Sequence, residues 1–135
     1  MIYLYNTFSR KKELLKPIRN KRLGMYVCGP TVYGPSHLGH GRTYIAFDII
    51  RRYFEWRGFK VKFISNITDI HDDIIKEAQD RDISVKALAD KYAKEFFDDL
   101  KNLKIKKADA YPRVTEHIKE IIALIKKLFK NELAY

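Results

Sequence analysis

His37-Leu38-Gly39-His40 is the segment whose residue types and spacing most plainly suggest chemistry. Two histidines three apart at the start of a helix share one face. A helix N-terminus already favours anions, and two imidazoles there add donors for a phosphate. Gly39, between them, leaves the backbone open to a flat ligand such as adenine. Such a site holds ATP and stabilises the charge that develops when the α-phosphate is attacked. Taken without its surroundings, the same tetrapeptide reads as two surface or metal-binding histidines. The other notable residue is Cys28, the only cysteine, which rules out an internal disulfide. Taken alone, it reads as a small buried apolar side chain.

The elements that must position these residues follow from periodicity. Leu23 to Cys28 is a compact apolar run stopped by Gly29-Pro30, the pattern of a buried strand ended by breakers. Gly34-Pro35 marks a loop. His37 to Trp56 is helical, with Ile45, Ile49 and Tyr53 along one side and Phe47, Ile50 and Phe54 nearby, and Gly58 caps it. Lys60 to Ile67 carries β-branched residues and reads as a second strand. Strand, helix and strand form a βαβ unit with parallel strands. In open α/β sheets ligands bind at the carboxyl ends of the strands, and both Cys28–His40 and Asn66–Asp73 fall there.

Around this unit, Ile2 to Asn6 and the residues up to Leu15 read as a short hairpin or as a strand and loop at the edge. Asp69 to Gln79 reads as a short helix with acids in its first turn. Ser84 caps the next helix, whose inward face is Val85, Leu88, Ala89, Tyr92, Ala93, Phe96 and Leu100. After Tyr111-Pro112, Thr115 is expected to cap a last helix with Ile118, Ile121, Ile122, Ile125, Leu128 and Phe129 turned inward. His71 beside Asp72 and Asp73 reads as a helix start rather than a metal site.

Composition sets the frame. The 135 residues are 46% hydrophobic, enough for a real core. Twenty-seven Lys and Arg face seventeen Asp and Glu, a balance of +10 that favours polyanionic partners such as nucleic acid or nucleotides. The basic residues are spread along the chain rather than gathered in one block. No apolar run approaches the roughly 20 residues of a membrane helix, and no basic-then-apolar leader opens the chain. The expected compartment is the cytoplasm, with no membrane association.

His37-Leu-Gly-His40 in this setting resembles the HIGH signature of class I aminoacyl-tRNA synthetases. Met25 to Tyr33 (MYVCGPTVY), followed by HLGHGRTYIAFD, resembles the cysteinyl-tRNA synthetase branch in particular, as does Asn66-Ile-Thr-Asp-Ile70. The resemblance runs from Tyr3 to Tyr135. It implies an α/β, Rossmann-like (HUP-type) parallel sheet with flanking helices, with residues 1–135 forming the N-terminal half of a class I catalytic domain cut near the connective peptide. It implies a cysteine–tRNA ligase: ATP-dependent activation of cysteine to cysteinyl-adenylate, then transfer to tRNA(Cys).

The resemblance also implies residue roles. Tyr33, His37, Gly39 and His40 would bind ATP, with His37 and His40 catalytic. Cys28, Gly29 and Thr68 would bind cysteine. Cys28 would be one of four ligands to a Zn²⁺ ion that takes the substrate as thiolate; zinc prefers thiolate to a hydroxyl, so it would select cysteine over serine. The other ligands, the lysine-rich KMSKS loop and the anticodon-binding region lie outside these residues, so the chain alone is expected to be inactive. The expected partners are tRNA(Cys), ATP and L-cysteine, and a monomer is expected.

Departures from the family pattern are Gly34 for an acid, Gly41 for alanine, and His71-Asp72-Asp73 in place of Asp-Asp-Lys. Arg42 and Asp48 read as structural residues. Two alternatives stay open: a paralogous ligase that places activated cysteine on an amino sugar (mycothiol-type) and shares this half of the fold, and a non-enzymatic nucleotide- or RNA-binding module, which the charge permits.

Overall fold

The computed structural model describes all 135 residues. The chain opens with an antiparallel hairpin, β1 (Tyr3–Asn6) on β2 (Lys11–Leu14), in register from Tyr3 opposite Leu14 to Asn6 opposite Lys11. The Asn6 side chain closes its turn by accepting from the Phe8 amide at 3.0 Å.

The centre of the molecule is β3 (Arg22–Val27), α1 (Leu38–Trp56) and β4 (Lys60–Ser65). The two strands are parallel, with Arg22 opposite Lys60 and Val27 opposite Ser65. Gly58, at φ 83°, lets the chain turn out of α1 where a side chain would be strained. A third, irregular run follows β4 on its outer edge: Ser65 N–H donates to the Ala110 carbonyl at 3.2 Å, Ile67 N–H to Pro112 at 2.9 Å, and Asp109 N–H to Phe63 at 2.8 Å. Pro112 has no N–H, so it sits in this run as acceptor only.

Helices α2 (Asp72–Asp80) and α3 (Val85–Asn102) complete the core. Ser84 caps α3 through the Ala87 amide at 3.1 Å. Leu88, Ala89, Tyr92, Ala93, Phe96 and Leu100 are all buried, as their helical spacing predicts, and Phe96 meets Tyr44 of α1 edge-on at 5.0 Å. The parallel α/β layering is that of a Rossmann-like sheet with flanking helices. No helix is long and apolar enough to cross a membrane.

Helix α1 buries a face other than its Ile45–Ile49–Tyr53 side, and three local expectations need correction. The inward face of α1 is Tyr44, Arg51 and Phe54, with Phe47 half-buried, whereas Ile45, Ile49 and Tyr53 are exposed. Arg51 is buried because its charge is answered: Nε meets Glu55 at 3.1 Å, Nη1 donates to the Lys107 carbonyl at 2.6 Å, and Nη2 meets Asp109 at 3.3 Å. Helix α2 starts at Asp72, capped by His71 Nδ1 accepting from the Asp73 amide at 3.2 Å, so Asp69 precedes it. Thr115 caps no helix. It lies in a 3₁₀ turn (Val114–Glu116), and its hydroxyl donates to Asp69 at 2.6 Å instead. The last helix, α4 (Ile118–Lys130), buries none of its apolar stripe; Leu128 is half-buried and the other five residues are exposed.

Candidate functional site

The two loops that follow β3 and β4 are joined into one rim. Val32 N–H donates to the Thr68 carbonyl at 3.2 Å and Thr68 N–H to the Pro30 carbonyl at 3.0 Å, which prolongs the parallel pairing beyond the strands. Asn66 is the hub of this rim. Its Oδ1 accepts from the Gly29 amide at 2.8 Å and from the Tyr26 hydroxyl at 2.9 Å, and its Nδ2 donates to the Thr68 hydroxyl at 3.1 Å. The loops approach so closely that a Cβ on Gly29 would lie 1.4 Å from the Asn66 carbonyl oxygen. Glycine is therefore obligatory at 29, and the close neighbour of its backbone is the chain's own Asn66.

Cys28, Gly29 and Thr68 thus share one small region. Cys28 is exposed at the end of β3, not buried as a lone strand-end cysteine would be. Its carbonyl accepts from the Tyr44 hydroxyl at 3.1 Å, which ties the rim to α1. Burial pushes Tyr44 up to about 12, so its hydroxyl keeps the proton it donates.

At the head of α1 the two imidazoles stack, with centroids 4.0 Å apart. Each also caps the helix. His37 Nδ1 accepts from the Gly39 amide at 3.0 Å, and His40 Nδ1 accepts from the His37 amide at 3.1 Å. An accepting Nδ1 carries no proton, so each ring is a neutral tautomer with its proton on Nε2. The pair therefore offers two N–H donors at a helix N-terminus, as the spacing predicts. Partial burial, helped by the neighbouring His37, holds His40 below the usual histidine value, which keeps it neutral at pH 7. A Cβ on Gly39 would sit 2.8 Å from the His37 ring, so the space beside this glycine belongs to that ring.

A cavity of about 390 Å³ opens beside the imidazoles, lined by His37, His40, Gly41 and Tyr44 and by Phe96 and Leu103 of the opposite helix region. Tyr33 stands exposed on the rim loop. Asp48 is structural: it pairs with Arg52 at 2.7 Å and accepts from the Lys106 amide at 3.0 Å. Arg42 enters no ion pair.

Sequence reasoning missed Asn66 as the hub and Tyr44 as the tie. Asn66 lies just past the end of β4, where the loops after the two parallel strands meet and a two-way amide can join them, and that position was the available signal. Tyr44 carried none, being one aromatic among several on α1. The residues present do not fit a zinc ion by themselves: no group of three or more His, Cys, Asp or Glu comes together, and Cys28 is the only thiol.

Comparison with known proteins agrees with this architecture. Residues 14–135 match the model of the class I (C) tRNA synthetase catalytic domain. A cysteine–tRNA ligase from Pyrococcus abyssi is 58% identical over 134 residues, covering 99% of this chain and 28% of that protein. The cysteine–tRNA ligases of Thermococcus kodakarensis and of Methanococcus maripaludis strain C6 are 54% and 53% identical, covering 99% and 100% of this chain and again 28% of theirs. The chain thus spans under a third of the length of the curated relatives it matches. A solved Mycobacterium tuberculosis methionyl-tRNA synthetase, bound by methionyl-adenylate, superposes with a TM-score of 0.61 at 22% identity, over 70% of this chain and 18% of that one; this likeness speaks to the fold. By the match over residues 14–135, the chain belongs to the class I (C) tRNA synthetase catalytic-domain family.

Proposed function

We propose that residues 1–135 form the first half of a cysteine–tRNA ligase catalytic domain, acting on cysteine, ATP and tRNA(Cys) together with the portion its relatives possess beyond this length. The observation that carries the reading is the Tyr44–Cys28 hydrogen bond, which fixes a thiol-bearing rim against a helix start that presents two imidazole donors. The rim (Cys28, Gly29 and Thr68) holds the amino acid. The helix start (His37, Gly39 and His40), with Tyr33 beside it, holds ATP.

The chemistry asked of these residues is positioning and charge stabilisation. The carboxylate of cysteine attacks the α-phosphate and pyrophosphate leaves. The Nε2–H groups of His37 and His40 donate to the phosphate oxygens as their negative charge grows. Both rings must be neutral at Nδ1 for the helix cap to hold while Nε2 donates. Cys28 would supply one ligand toward a zinc ion whose remaining ligands would come from the further length its relatives possess. The setting is the cytoplasm.

The test is a chimera in which residues 1–135 replace the matching segment of the Pyrococcus abyssi relative, assayed by cysteine-dependent ATP–pyrophosphate exchange. The chimera is expected to be active and the isolated chain inactive. His40→Ala should lower exchange by about 10²–10³-fold, as removal of one transition-state donor does elsewhere. Full exchange by the His40→Ala chimera would defeat the proposed role of the imidazoles, and an inactive chimera that still folds would defeat the reading.

A further inference from the structure

The charge of +10 is not shared evenly. Residues 1–66 hold thirteen Lys and Arg against three acids, Glu13, Asp48 and Glu55, whereas residues 67–135 hold fourteen of each. The whole net charge therefore belongs to the first half of the chain.

The structure sharpens this asymmetry. No Lys or Arg between residues 10 and 22 enters an ion pair, nor do Lys60 and Lys62. Cations of the helices, such as Lys86, Lys94 and Arg81, each meet a carboxylate one turn away. Backbone pairing moreover forces the free cations together. Arg22 lies opposite Lys60 across the β3–β4 ladder, and the Arg22 amide donates to the Arg19 carbonyl at 3.0 Å. Like charges placed opposite one another repel, and an anion bound between them relieves that repulsion. They line an open groove of about 970 Å³ whose cations are Lys16, Arg19, Arg22, Lys60 and Lys62. Its one acid, Asp109, is already taken by Arg51 at 3.3 Å and by the Phe63 amide at 2.6 Å.

We propose that this groove, formed by the Lys16–Arg22 loop and the amino ends of β3 and β4, binds the phosphodiester backbone of RNA. It lies at the opposite end of the strands from Cys28, about 20 Å away at the usual rise per residue, so it is separate from the rim and the imidazole pair. Five cations dispersed over two strands and a loop suit a chain of phosphates better than a single small anion. Contacts of lysine and arginine to phosphates fix the position of an RNA without reading its sequence. The choice of RNA among polyanions rests on the tRNA ligase reading above; the charge of the groove does not.

The test is fluorescence anisotropy of the 135-residue chain with a fluorescein-labelled RNA hairpin, titrated between about 50 and 200 mM KCl. Arg22→Gln/Lys60→Gln is expected to weaken binding about tenfold and to flatten the slope of log affinity against log salt by about 1.5. Lys86→Gln/Lys94→Gln makes the same change in net charge on α3 and should move neither quantity. Equal losses in both double variants, or no loss in the first, would overturn the groove. So would phosphatidylglycerol vesicles or polyglutamate competing as well as unlabelled RNA at equal charge. In the chimera, a failed groove leaves pyrophosphate exchange intact, while a failed ligase reading removes exchange and leaves the salt-dependent RNA binding.

Discussion

Helix α3 sends Leu88, Ala89, Tyr92, Ala93, Phe96 and Leu100 into the core, while α4, with a stripe just as regular, buries none of its residues. Both sequences repeat apolar residues at helical spacing. What differs is what stands opposite. Helix α3 faces Tyr44 of α1 and shares the buried core with Ile74 and Ala78 of α2, and Ser84 fixes its first turn. Helix α4 follows a 3₁₀ turn, its N-cap His117 makes no side-chain cap, and Ile121, Ile122 and Ile125 remain 38–46% exposed. Periodicity therefore tells which side of a helix is apolar, but not whether a partner surface exists to cover it.

That contrast can be broken by mutation. Leu88 is 0% exposed, and Leu88→Ala should cost about 2–5 kcal/mol in urea unfolding, since it removes contacts and leaves a cavity. A loss under about 1 kcal/mol would mean that α3 is not the core helix described above. Gly41→Ala acts in the other direction on the same packed side. A Cβ there would meet Leu103 Cδ1 at 3.7 Å, ordinary contact, so the substitution should stabilise by about 1 kcal/mol through helix propensity. A fall in thermal midpoint would show that the α1–α3 interface is tighter than that distance implies. Ile122→Ser on α4 should change stability by less than about 0.5 kcal/mol, as a surface substitution does. A large loss would place α4 against a surface in solution.

Much of the site region was legible because breakers and glycines marked it. Gly29-Pro30 and Gly58 ended their elements where expected, and the βαβ logic put Cys28, His37, His40 and Thr68 at the carboxyl ends of parallel strands. What escaped reading depended on partners far along the chain. Arg51 faces inward in place of the more apolar Ile49 because Lys107 and Asp109, more than fifty residues later, satisfy its guanidinium. Asp69 looked like a helix-starting acid, yet it is buried and accepts from the Thr115 amide at 3.1 Å and from the Thr115 hydroxyl. The same pairing removed Thr115 from its expected capping role. The charge follows a related pattern: the cations are dispersed along the chain, and the excess lies where acids are lacking, in residues 1–66.

Asp109 carries a consequence for the order of folding. Its carboxylate receives the Phe63 amide and the Arg51 guanidinium, partners 46 and 58 residues upstream. At roughly 5–20 residues per second on the ribosome, β4 is made several seconds before this partner emerges. During that interval the outer edge of β4 has unpaired amides and Arg51 has no answering charge from Asp109, so the nascent βαβ unit is an open template for another strand. The segment around Ala110 closes that template, which makes it the latch of the β3–β4 sheet.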